Sequence, residues 1–273
     1  ADNPLITAQT MNRLLDARRS GASLSLLGMR PSDPGKYGRL IEENGHVLRI
    51  VEYKDATEAE REIDLCNAGV MCADANDFRR WLSELGNNNA QGEYYLTDVV
   101  EMAAHSGQVL CVEAPAEELA GVNSRAELAR AEATLQQRMR QAAMDGGVTL
   151  VAPETVFFSA DTQISQDVVI EPNVFFGPGV KIASGSVIRA FSHLEGCTVG
   201  EGAMIGPYAR LRPGTHCATN SHVGNFVELK NVELGTGAKA NHLTYLGDAS
   251  IAAGTAVGAG TITCHYDRVV QLR

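Results

Sequence analysis

The sequence predicts two units of different class: an α/β sheet segment, then a parallel solenoid of short β-strands. Three observations carry this reading. From Phe158 to Thr263 an aliphatic or small residue returns every six positions, with three steps of five. The series is Phe158, Ile164, Ile170, Phe176, Ile182, Ile188, Leu194, then Val199, Ile205, Leu211, Cys217, Val223, Leu229, then Leu234, Ala240, Leu246, and last Ile251, Val257, Thr263. That period matches neither the 3.6 of a helix nor the 2 of an alternating strand. It suits a triangular coil with one inward side chain per flat face. Second, Gly, Asn, Asp and Pro punctuate the period, as in Gly177-Pro178-Gly179, Gly200-Glu201-Gly202 and Pro213-Gly214. These residues accept the tight or left-handed backbone of a corner. Third, residues 1–123 lack the period and alternate strand-like with helix-like stretches, the pattern of an α/β sheet.

Taken in order, Thr10 to Ala17 reads as a short helix with Met11, Leu14 and Leu15 on one face. Ser23 to Met29 is apolar enough for a buried strand. Tyr37–Leu40 and Val47–Tyr53 read as a hairpin across Glu43-Asn44-Gly45, because Asn-Gly supplies the positive φ of a tight turn. Ala56 to Ile63 reads as a charged helix and Cys66 to Cys72 as a strand. Ala75 to Leu85 and Leu96 to Ser106 read as helices, and Gln108 to Val112 as a strand. A connector helix is predicted over 124–147. Ser124 and Glu127 form its capping box, Gly146-Gly147 end it, and Leu128, Ala131, Leu135, Met139 and Ala142 form its apolar stripe. The domains expected are thus 1–123, the connector 124–147, and the solenoid 148–273.

Composition narrows the class. With 23 basic and 33 acidic residues the net charge is −10, so a nucleic-acid surface, which needs dense Lys and Arg, is not expected. No apolar run approaches the length that spans a membrane. The start, ADNPLITAQT, carries neither an initiator Met nor a secretory leader. The six cysteines form no CxxC pair and read as free thiols, Cys217 being a small hydrophobe on an inward rung.

Polar residues that could do chemistry gather between Arg210 and Tyr266. Arg210 and Arg212 flank the inward Leu211, so both leave the core. Lys230 follows Arg212 by 18 residues, one coil. Stacked coils would bring the two cations together and call for an anion, such as a phosphate. His242 follows in Asn241-His242-Leu243-Thr244-Tyr245-Leu246, and imidazole can take a proton from an amine near neutral pH. The glycine-rich Val257-Gly258-Ala259-Gly260-Thr261 would let a substrate approach the backbone closely.

Pro207-Tyr208-Ala209-Arg210-Leu211-Arg212-Pro213-Gly214, Val223-Gly224-Asn225-Phe226-Val227-Glu228-Leu229-Lys230, His242-Leu243-Thr244-Tyr245-Leu246-Gly247-Asp248 and Gly258-Ala259-Gly260-Thr261-Ile262-Thr263-Cys264 closely resemble a bacterial family. Its bifunctional enzymes acetylate glucosamine 1-phosphate and uridylate the product to UDP-N-acetylglucosamine. In the first unit Tyr37-Gly38-Arg39, Val51-Glu52-Tyr53-Lys54-Asp55-Ala56 and Asn87 to Tyr95 resemble that family's uridylyltransferase domain. The likeness covers nearly the whole chain. It implies a partial, Rossmann-like nucleotidyltransferase domain, a left-handed β-helix of hexapeptide repeats, a homotrimer and a cytoplasmic role in cell-envelope precursor supply.

The resemblance also implies roles. His242 is the general base on the sugar amine, which attacks acetyl-CoA. Arg212 and Lys230 hold the sugar phosphate, Tyr245 and Tyr266 position the sugar, and Ala259 lies by the acetyl donor. Ala256 and His265 stand at substrate-contacting positions where the family carries asparagines. In the first unit Asp2 and Asn123 match the Mg²⁺ ligands, and Gly38, Glu52, Asn67 and Asn123 match contacts to the sugar nucleotide. The co-substrates implied are acetyl-CoA and UTP, and N-acetylglucosamine 1-phosphate is the intermediate. The family's glycine-rich phosphate loop and its later coils are missing, so the sequence reads as a piece cut at both ends, with activity in both steps in doubt. Two other classes compete. A hexapeptide metalloenzyme would use converging histidines on zinc, but His216 and His222 lie on adjacent faces. A non-catalytic scaffold is the other.

Overall fold

The computed structural model describes residues 2–264. The chain divides into two compact units, 1–132 and 133–273.

The first unit is built on a five-stranded sheet: β1 (Leu24–Met29), β2 (Arg39–Glu43), β3 (His46–Val51), β4 (Cys66–Ala73) and β5 (Val109–Glu113). Their order across the sheet is β3-β2-β4-β1-β5. β1 is buried at all six positions, as its apolar run requires of a central strand. The hairpin β2–β3 turns on Asn44 and Gly45, both at positive φ (52° and 80°). The strand–helix alternation pointed to an α/β sheet, and the sheet is mixed. Only β1 and β5 run parallel, while β1–β4 and β2–β3 are antiparallel. Helices α1 (Ala8–Arg19), α2 (Glu58–Arg61), α3 (Ala75–Glu84), α4 (Val99–Ser106) and α5 (Ala116–Leu119) complete the unit. Two clusters form its core. One gathers Leu24, Leu26, Leu40, Val47, Trp81, Val99, Val100 and Ala103; the other gathers Leu14, Leu27, Met29, Cys66 and Leu119. Alternate side chains of β1 thus serve both faces of the sheet.

Helix α6 (Arg125–Asp145) carries the predicted ends. Glu127 accepts from Ser124 Oγ and from the Asn123 amide at 3.0 and 2.8 Å, and Ser124 Oγ accepts from the Glu127 amide. These bonds, the Asn123 amide first, hold the Glu127 carboxyl below its ordinary range. At the other end Gly147 sits at φ 90°, Val148 donates to Ala143 O and Gly147 to Met144 O, the paired bonds of a Schellman stop. The predicted apolar stripe is buried only in part, with Met139 packed against the core of the coils. Leu128 is 56% exposed, and the one fully buried side chain is Gln136. Its amide donates to Phe158 O (2.7 Å) and accepts from Phe158 N (2.9 Å). Gln136 thereby replaces a strand neighbour for the edge of the first coils, which would otherwise present bare backbone groups.

The second unit is a left-handed parallel β-helix of hexapeptide repeats. Every step of the six-residue series that joins two strands is matched by their register. Ile170, Ile188, Ile205, Val223, Ala240 and Val257 stack on one face. Phe176, Leu194, Leu211, Leu229 and Leu246 stack on the second. Ile164, Ile182, Val199, Cys217, Leu234 and Ile251 stack on the third. Together they form one continuous core, each fully buried rung contributing about 1.5–3 kcal/mol. Leu150 adds a rung below Ile170, ahead of the predicted start. Strands of two or three residues dominate, until His222–Leu234 and Lys239–Ile251 run unbroken through two corners each.

Most corners use the expected residues, with Asn173, Asn220, Asn231 and Asp248 at positive φ. One column departs from this. Phe191, Tyr208, Phe226 and Leu243 also sit at φ 47–61° and are about half exposed. Left-handed backbone is costly for bulky residues, and the stacking of Phe191 on Tyr208 (4.9 Å) and Tyr208 on Phe226 (5.2 Å) offsets part of it.

Candidate functional site

In the first unit, the predicted residues Asp2, Gly38, Glu52, Asn67 and Asn123 all line one cleft of about 460 Å³, joined by Lys36, Tyr37 and Gly121. Its walls follow from local bonding. The Arg39 guanidinium is buried and donates to the carbonyls of Pro34, Gly35, Tyr37 and Arg61, which shapes the loop that presents Gly38. The Gly38 carbonyl accepts from the Asn67 amide at 2.8 Å, joining two lining residues. A Cβ on Gly38 would meet Ile50 at 3.0 Å and the Glu52 carboxylate at 3.5 Å, so a side chain there would intrude on Glu52. Thr97 Oγ1 donates to Glu52 Oε1 at 3.0 Å and orients it. On the opposite wall the Val122 amide donates to Asp2 O at 2.7 Å, tying Asp2 to the stretch that ends in Asn123. A carboxylate and an amide oxygen are hard ligands of the kind Mg²⁺ takes while keeping most of its water. Among the described residues, no group of three or more His, Cys, Asp or Glu is placed to hold a metal ion. Asp2 and Asn123 bring one carboxylate and one amide to the same cleft.

In the solenoid, the register brings Arg212, Lys230, His242 and Tyr245 to neighbouring coils. Arg210 pairs with Glu228 and Leu211 with Leu229, which sets Arg212 beside Lys230 as the coil spacing predicts. The anion called for is partly supplied from within. Arg212 bonds Glu228 Oε1 at 2.9 Å, and Arg210 stands 3.9 Å from Glu228 Oε2. Lys230 is half-buried, in register with Gly247. A Cβ on Gly247 would stand 2.6 Å from the Tyr245 hydroxyl and 3.0 Å from its ring. The tyrosine therefore lies across Gly247, its hydroxyl one coil from Lys230. Thr263 Oγ1 accepts from the Gly247 amide at 2.8 Å and holds that backbone in place.

His242 is exposed at the corner before this cradle. Its Nδ1 lies 2.9 Å from Asn225 Oδ1, and its Nε2 has no hydrogen-bond partner among the described residues. Asn225 did not emerge from the sequence. The signal was present, since Asn225 and His242 each stand two residues after a stacked rung, Val223 and Ala240. Nearby His222 titrates lower than an ordinary histidine, first through burial and then through Arg189, Lys239 and His242. Ala256 pairs with Lys239 one coil below. The Gly260 amide donates to Leu243 O, which sets Ala259 on the coil above His242. His265 and Tyr266 lie outside the described residues.

No family model matches the sequence. Curated relatives match it closely. A protein of Gluconobacter oxydans named Bifunctional protein GlmU is 77% identical over all 273 residues, which cover 62% of that relative. Along its whole length the chain is homologous to GlmU proteins. The GlmU of Gluconacetobacter diazotrophicus is 63% identical over the whole chain and 60% of its own length. That of Acidiphilium cryptum is 60% identical over the whole chain and 63% of its own length. The chain thus spans about three-fifths of the GlmU relatives it matches. Among solved structures, the acetyltransferase domain of PglB from Neisseria gonorrhoeae aligns over 48% of this chain and 62% of its own, at 16% identity and a TM-score of 0.24, a likeness too slight to bear on function.

Proposed function

We propose that the solenoid transfers an acetyl group from acetyl-CoA to the amine of glucosamine 1-phosphate. The first unit, on this reading, belongs to the site that uridylates the product with UTP. The observation that carries the first half is a base beside an anion cradle. His242 presents a bare ring nitrogen at the corner that leads into Arg212, Lys230 and the Tyr245 hydroxyl. Arg212 and Lys230 bind the sugar phosphate as cations, and Tyr245 orients the sugar ring. His242 Nε2 accepts a proton from the amine as its nitrogen attacks the thioester carbonyl. A C–N bond forms, the C–S bond breaks, and the proton passes to the departing thiolate. Ala256 and Ala259, on the coil above, leave room for the acetyl donor.

In the first unit the gathering of Asp2, Gly38, Glu52, Asn67 and Asn123 in one cleft supports binding of the N-acetylglucosamine part of a sugar nucleotide. Asp2 and Asn123 would hold Mg²⁺, which when bound neutralises phosphate charge. Glu52, oriented by Thr97, accepts from sugar hydroxyls. The same reading makes the protein a cytoplasmic homotrimer that supplies cell-envelope precursors. Among the described residues no helix is long and apolar enough to cross a membrane. Calorimetry with glucosamine 1-phosphate, with and without acetyl-CoA, tests the proposal. Binding of the sugar phosphate that Arg212→Ala and Lys230→Ala each weaken is expected. Absence of binding in the intact trimer would refute it.

A further inference from the structure

We propose that Asn225 is the positioning residue that fixes the tautomer of His242, an inference that rests on His242 acting as the base. The two side chains leave neighbouring coils in register and meet at 2.9 Å, Asn225 Oδ1 to His242 Nδ1. An amide oxygen only accepts. Nδ1 therefore carries the hydrogen, and Nε2 keeps its lone pair toward solvent, where an amine could approach. Free imidazole favours the other tautomer, so the contact selects the form that can act as a base.

The backbone is shaped for this contact. A Cβ on Gly224 would overlap the Asn241 carbonyl, so only glycine lets the two coils close up just before Asn225 and His242. Phe226 and Leu243, the residues that follow, both turn through the left-handed region, at φ 58° and 47°. Each corner thus rotates its preceding side chain outward in the same sense. The partner is also neutral. A carboxylate there would raise the imidazole's affinity for protons and fill the base before substrate arrives. Of the basic groups, Lys239 lies on the same strand as His242, and His222, on the coil below, feels Arg189, Lys239 and His242. Glu228 on that lower coil is engaged by Arg212. The described coil above, from Ala256 to Thr263, holds no ionisable side chain.

The test combines a spectrum with kinetics in the intact protein. Ring ¹⁵N NMR at neutral pH is expected to show His242 protonated at Nδ1 and bare at Nε2. In Asn225→Ala the signal should move toward the Nε2–H form. Turnover of glucosamine 1-phosphate should fall roughly 10–100-fold, as for other partners that orient a histidine, with KM nearly unchanged. Asn225→Asp should keep the tautomer and move the acid limb of the pH–rate profile upward by about one unit. A wild-type His242 protonated at Nε2 would overturn the proposal. So would an Asn225→Ala protein with unaltered tautomer and turnover. If His242→Ala lost turnover while Asn225→Ala kept it, positioning alone would fall. If His242→Ala kept turnover, the base assignment would fall first and the proposal with it.

Discussion

Gly247→Ala separates binding from folding at the proposed phosphate cradle. The added methyl would lie 2.6 Å from the Tyr245 hydroxyl and 3.0 Å from two ring carbons. Ordinary contacts begin near 3.5 Å, so the ring must swing by about an ångström. Gly247 does not occupy the left-handed region, so alanine suits its backbone. Loss of unfolded-chain freedom should then stabilise the protein by about 0.4–1 kcal/mol. Binding should move the other way. A hydroxyl displaced from the neutral sugar ring forfeits about 0.5–1.5 kcal/mol, roughly 2–13-fold in Kd. Calorimetry with glucosamine 1-phosphate reads the loss, and urea unfolding reads the stability. Tyr245→Phe provides the control, because Gly247→Ala should add little once the hydroxyl is gone. Unchanged affinity in Gly247→Ala, or an equal loss on the Tyr245→Phe background, would refute the reasoning.

Gln136→Ala should destabilise the solenoid by about 2–4 kcal/mol, because both buried backbone groups of Phe158 lose their partner; the midpoint of urea unfolding of that unit checks this. Thiol labelling with iodoacetamide at pH 8 should reach Cys264 first, since it is exposed. Burial pushes the Cys197 thiol up to about 12 and Cys217 higher still, so both should react only on unfolding. Mass spectrometry of timed aliquots orders the sites.

The solenoid was legible because its repeat is local. Each coil writes its own three rungs, so the series from Ile164 to Val257 can be read without any long-range contact. Gln136 was hidden for the opposite reason. Its value comes from the backbone of Phe158, 22 residues away, and an amide on a helix reads as a solvated side chain. The stripe begun at Leu128 followed helical period alone, and period does not say which face has a partner. Strand and helix positions in the first unit were readable, but direction was not. Antiparallel pairing of β1 with β4 depends on connections that a run of apolar residues does not encode. The bulky left-handed corner at Phe191, Tyr208, Phe226 and Leu243 runs against residue preference and is held by stacking between coils. Asn225 was within reach of the period, two residues after the rung Val223 as His242 is after Ala240, but its residue type alone did not single it out.

The central claim is that His242 removes the proton from the sugar amine. Acetyl transfer to glucosamine 1-phosphate by the intact His242→Ala protein tests it most directly, with uridylyl transfer measured in the same preparation. Acetyl transfer should fall by roughly 10²–10⁴, the usual contribution of a general base, while uridylyl transfer is untouched. Acetyl transfer at the wild-type rate would contradict the account.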